Sequence, residues 1–229
     1  MRTTLLLIIA IFTTTMLNAQ GPVSTNWFTV QLPVVFNNHW QWNNEFSYRT
    51  LGERAAMNQL FLRTGARYRF NEKWSVSGTA ELVYTRLSPV KTEDRFGRES
   101  RLVQEANLQL PLKNKYSFIN RLRIEERMFS ETPKRAAFNA VRFRYRTGFE
   151  KRISGQWSLQ LTDELMEQLQ SGKIGFNQNR ASLAAICELP SNMRLQGAYI
   201  WAKSSVFSQH IFSIVFQKRI MTHARRNQG

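Results

Sequence analysis

Cysteine is nearly missing from this chain. Its one thiol, Cys187, has no internal partner, so a chain that leaves the reducing cytosol must draw its stability from size, closure or a membrane. A lone cysteine reads as packing, not chemistry. Long apolar runs are scarce too: the run from Leu5 to Phe12 is the most continuous, and no later window approaches the ~18 apolar residues that a helical membrane span needs. The three histidines, His39, His210 and His223, do not cluster. Phosphate-cradling glycine loops, metal-ligand spacings and a nucleophile beside a base are also wanting. The expectation is therefore no enzyme, no metal and no cofactor. A lipid-modifying barrel enzyme built on His210 with Ser208 or Ser213 stands lowest, because neighbouring Ser and His are common by chance.

Acidic residues are few, 16 against 32 basic ones, for a formal charge of +16. Such a balance would ordinarily raise nucleic acid as a partner. The positions argue against it: Arg63 and Arg67, and then Arg142 and Arg144, alternate with apolar residues along strands instead of forming a basic helix or tail.

The first residues, Met1-Arg2, a short apolar core and then small residues to Ala19, have the form of a secretory signal. Cleavage after Ala19 would leave Gln20 first, and an exported address makes nucleic acid less fitting still.

What is abundant is period-two alternation. After the polar turn Asn37-Asn38-His39, residues Trp40, Trp42, Phe46 and Tyr48 fall on one face, and Gln41, Asn43, Glu45, Ser47 and Arg49 on the other. The unit recurs at Asn71 to Trp74, Lys113 to Tyr116 and Ser154 to Trp157, and more weakly at Ser191 to Met193. These copies lie roughly 34 to 42 residues apart, which suits hairpins of ~9 to 11 residues per membrane-crossing strand plus a longer far loop. Aromatics at one level of successive hairpins, here Trp40, Trp74, Tyr116 and Trp157, are the pattern of an interfacial girdle.

Strands are predicted over 27–36, with Pro33 tolerable at an edge or bulge, and then over 40–49, 58–70, 74–87, 101–110, 116–128, 138–150, 157–162, 176–189, 193–202 and 209–220. Loops are predicted at 50–57, 88–99, 130–135 and 168–175. The count is about eleven. Bacterial single-chain barrels usually have an even number, so the expectation is 10 to 12 strands, with 12 preferred. Three regions follow: a signal peptide at 1–19, one β-barrel domain at 20–220 and a polar tail at 221–229.

The fold expected is all-β, an antiparallel up-and-down transmembrane barrel with short turns on one side and longer loops on the other. With the apolar face toward lipid, charges go to the lumen, where they can pair. The predicted ladder is Glu45, Arg63, Arg67, Glu81, Glu105, Arg121, Arg123, Glu125, Arg142, Arg144, Glu164 and Arg180. Two readings of it stand open: a structural lattice that fills and braces a narrow barrel, or a small channel or binding lumen for an anionic solute. A soluble periplasmic barrel or sandwich carrying an apolar ligand is the alternative in which the aromatic face is the core.

Several stretches together resemble a known family. They are Glu45 with Arg49, the run Arg121 to Arg127, Arg142-Phe143-Arg144-Tyr145, Asp163-Glu164, Phe176 to Arg180, and Gly197-Ala198-Tyr199 with His210. They are similar to domain of unknown function 2490 (DUF2490), a family of predicted outer-membrane barrels of Gram-negative bacteria. The family's usual Asn-Glu pair stands here as Asp163-Glu164. The resemblance implies an outer-membrane location, with lipid, lipopolysaccharide and the outer-membrane insertion machinery as partners; it implies no activity and no oligomeric state.

Overall fold

The structure, a computed structural model, describes residues 24–52, 54–87 and 95–222. The signal-like segment, the Ala19 cleavage point, residues 88–94 of one predicted loop and the tail 223–229 with His223 lie outside the described residues. Thirteen strands are present among the described residues: β1 (Ser24–Gln31), β2 (Val34–Val35), β3 (Trp40–Leu51), β4 (Arg54–Arg69), β5 (Trp74–Arg86), β6 (Phe96–Pro111), β7 (Tyr116–Phe129), β8 (Phe138–Arg152), β9 (Trp157–Gln170), β10 (Lys173–Leu189), β11 (Met193–Lys203), β12 (Ser208–Lys218) and β13 (Ile220–Met221).

They close into one barrel of eleven staves. Pro33 has no N–H to donate and splits the first stave into β1 and β2, and the last stave is likewise split into β12 and β13. The preferred count of twelve was one too many. An odd number has a geometric consequence: antiparallel neighbours all the way round bring the first and last staves together pointing the same way. Accordingly β1 pairs with β12 in parallel, Ser24 against His210 through Gln31 against Gln217, and β2 pairs in parallel with β13. All other pairings are antiparallel. Met221, assigned from sequence to the tail, instead pairs with Val35 in this seam.

The turns at one end are built by local side chains. Asn37 Oδ1 accepts the N–H groups of His39 and Trp40 at 2.8 Å each. Asn71 Oδ1 does the same for Lys73 and Trp74 at 2.8 and 2.9 Å, and Ser154 Oγ accepts the Trp157 N–H at 3.2 Å. Such side chains substitute for a backbone partner and fix the chain reversal. Each turn releases its aromatic as the first residue of the next strand.

Two predicted loops are strand instead. Residues 50–57 belong mostly to β3 and β4, where register shifts after Arg49 and Thr50 add unpaired residues and erase the alternation that marks a strand. Residues 168–175 form the ends of β9 and β10 around Ser171 and Gly172, both at positive φ (51° and 75°), as a two-residue hairpin turn requires. A second register shift at Phe176/Gln178 hid the start of β10. The strand predicted from Arg101 begins at Phe96.

Two inward glycines mark places where neighbouring strands crowd. A Cβ on Gly65 would lie 2.2 Å from the Gly78 carbonyl oxygen, and one on Gly148 2.1 Å from that of Leu161. Backbone cannot retreat as a flexible side chain can. Gly65→Ala and Gly148→Ala are each expected to destabilise the barrel by about 1–3 kcal/mol, read as a lowered urea midpoint. Gly155→Ala, with open space around its Cβ position, serves as the neutral control.

Candidate functional site

Away from the register shifts near Arg49 and Phe176, alternation sends odd-numbered residues of β1 and β3 to β7, and even-numbered residues of β8 to β11, into the lumen. Outside stand large apolar side chains, among them Phe28, Phe46, Leu62, Leu122 and Leu183, all about half exposed. Inside stand arginines and glutamates, with Phe61, Val83, Val103, Met166 and Ile211 packed fully between them. The interior is therefore a mixed core.

One network starts at Gln31, whose amide donates to Glu45 at 2.8 Å. Arg63 then bridges Glu45 (3.4 Å) and Glu81 (2.7 Å). Arg101 joins Glu81 (3.4 Å) to Glu99, which it grips with two N–H groups at 2.6 and 2.8 Å. Arg127 takes the same Glu99 at 2.5 Å and reaches Gln168 at 2.6 Å.

A second network centres on Glu125, which is fully buried. It accepts from Arg144 at 2.6 Å, from the Arg142 Nε at 2.8 Å and from Arg123 at 3.5 Å. Arg144 continues to Glu164 at 2.8 Å, and Glu164 also holds Arg121. Arg123 binds Glu105 at 2.5 Å, with Arg121 at 3.6 Å and Arg67 at 3.8 Å from the same carboxylate. Charge-assisted bonds of this kind lock planar guanidinium forks in place. A cavity of about 550 Å³ remains beside them.

Eleven of the twelve residues predicted for the ladder are thus ion-paired. Arg180 is the exception: it faces the lumen but donates to the neutral Gln178 at 2.7 Å. Glu99, Arg101, Arg127 and Arg146 also face the lumen, outside the predicted twelve. The alternation carried three of the four: Arg127 continues the Arg121, Arg123, Glu125 face and Arg146 the Arg142, Arg144 face, while Arg101 shares its face with Glu105. Glu99 lies within the predicted loop 88–99, ahead of the predicted strand start at Arg101, whereas the strand begins at Phe96.

The aromatics Trp40, Trp74, Tyr116 and Trp157 each open a strand at the short-turn end, and each is exposed. His210 and Ser213 stand on opposite faces of β12, because their spacing is odd, and Ser213 is buried. His210 instead meets the Tyr199 hydroxyl at 2.5 Å on the outer face.

The model of the family described as "Protein of unknown function (DUF2490)" matches residues 24–210, from the first described strand to the start of the last full stave. The chain belongs to the DUF2490 family. Among solved structures, this DUF2490 barrel is similar in fold to the beta domain of the Bordetella autotransporter Brka. The TM-score is 0.51 at 12% identity, over 80% of this chain and 82% of that one. Among curated proteins none matches. The fold likeness supports the β-barrel, and neither comparison carries an activity to it.

Proposed function

We propose that this DUF2490 chain is an outer-membrane β-barrel of a Gram-negative bacterium with a structural role, its Arg/Glu lattice bracing a narrow lumen and not conducting solute. The carrying observation is Glu125, which holds guanidinium groups of β7 and β8 together inside the barrel while Glu164 on β9 ties Arg121 and Arg144 to the next strand. Side chains so paired occupy the space a conducting path would need. The exposed apolar belt supports lipid as the surrounding medium: a soluble carrier would bury Phe46, Leu62 and Leu122, which here are 41–53% exposed. Membrane lipid, lipopolysaccharide and the insertion machinery are the partners of this reading. Catalysis has no part in it.

Cell fractionation tests the proposal. The mature protein is expected to begin at Gln20, to sediment with outer membranes, to migrate differently boiled and unboiled, and to pass no current in planar bilayers. Recovery in the soluble periplasm, or an anion current lost in arginine variants that still fold, would overturn it. The exposed aromatics give a graded check. Trp40→Ala, Trp74→Ala and Trp157→Ala should each weaken folding into vesicles modestly, by about 1 kcal/mol, as partial burial of an aromatic at the lipid boundary predicts.

A further inference from the structure

The lattice leaves some cations without an internal counter-charge. Twelve arginines line the central cavity, whereas seven carboxylates enter their ion pairs, counting Glu188 at the short-turn rim. Among the described residues, Arg49, Arg146 and Arg180 meet none. Competition explains Arg180. Its cross-strand neighbour is Glu164, but the two oxygens of Glu164 are taken by Arg121 and Arg144. Arg49 shares a strand face with Glu45, which Arg63 and Gln31 occupy.

Arg49 and Arg180 are nevertheless held firmly, and at one place. Both lie over the indole of Trp27, with guanidinium carbons 4.0 and 5.2 Å from the ring centroid. Arg49 donates once to Gln59 at 2.6 Å and Arg180 once to Gln178 at 2.7 Å. An aromatic face orients a guanidinium without neutralising it, and most of its five N–H donors stay uncommitted. The Arg49 and Arg146 Nε atoms are buried with no hydrogen-bond partner. Two fixed like charges facing a cavity in a low-dielectric interior are costly unless an anion joins them.

We propose that this part of the lumen is a binding site for a doubly charged oxyanion of the phosphate class, held between Arg49 and Arg180 beside Trp27. A dianion matches two unneutralised cations, and a tetrahedral oxyanion offers an oxygen pair to each planar fork. A chloride ion offers neither. The site rests on the closed, braced barrel proposed above, and lies within it.

The test uses full-length mature protein refolded in zwitterionic detergent, with the heat-modifiable band confirming the barrel before any ligand is added. Failure at that step bears on the barrel; everything after it bears on the site. Inorganic phosphate and pyrophosphate, against chloride at equal ionic strength, are titrated into the wild type, Arg49→Gln/Arg180→Gln and Gln178→Glu. The last variant places a carboxylate where the neutral amide now meets Arg180, so it should fold at least as well as the wild type while competing with the ligand. Phosphate and pyrophosphate are expected to raise the wild-type unfolding temperature, with apparent affinity falling about tenfold or more in both variants. Equal effects of phosphate and chloride, or unchanged phosphate affinity in Gln178→Glu, would overturn the proposal even if the double arginine variant fails to fold.

Discussion

Glu125→Gln is expected to cost the barrel about 3–5 kcal/mol, the range for removing one side of a buried ion pair. The position is severe because Glu125 is fully buried and meets three guanidinium groups, those of Arg123, Arg142 and Arg144. A glutamine keeps the shape but removes the charge, and turns an N–H2 toward groups that can only donate. The partner decides the rescue. Alternation alone pairs Glu125 with Arg123, two residues away on β7, yet that contact is 3.5 Å and Arg123 is held more closely by Glu105 at 2.5 Å. Arg142 binds Glu125 through two nitrogens from the adjacent strand. The double variant Glu125→Gln/Arg142→Gln should therefore recover much of the loss, and the Glu125/Arg142 coupling should exceed the Glu125/Arg123 coupling. Equilibrium urea unfolding from lipid vesicles measures both. A Glu125→Gln midpoint equal to that of the wild type would falsify the structural lattice.

Leu62→Arg is expected to destabilise by about 2–4 kcal/mol, and Leu108→Arg by no more than about 1 kcal/mol, because the cost of a lipid-facing charge depends on depth. Both residues look alike in the sequence, as apolar positions on outward strand faces. The register separates them. Leu108 pairs directly with Trp74, the first residue after a short turn, and so lies at the level of the exposed aromatics. Leu62 pairs with Phe46 and Leu82, several residues further along β3 and β5, and is 41% exposed. Arginine at Leu108 can therefore reach water by extending its side chain, whereas at Leu62 it cannot. The same vesicle unfolding assay, run on the two variants side by side, reads the difference. Equal tolerance of both substitutions would mean that the outer face of β4 does not meet lipid.

The sequence by itself determined the all-β class, the barrel of 10 to 12 strands, the positions of the short turns and which face of most strands carries charge. These properties are local: a period of two is written along each strand, and Asn37, Asn71 and Ser154 close their turns with their own side chains. Where local order breaks, the reading failed, as at the register shifts near Arg49 and Phe176 that concealed strand ends. Tertiary structure alone decided three things. Closure fixed eleven staves and the parallel seam of β1 with β12, because strand number is a property of the ring and not of any strand. Register fixed depth, which separates Leu62 from Leu108. Packing across the lumen fixed partners: sequence parity places Arg180, Arg144 and Glu164 on one inner surface, but only the folded barrel gives Glu164 to Arg121 and Arg144 and leaves Arg180 on Trp27. Carboxylates are too few to serve every arginine, and the choice among them depends on distances that no single strand contains.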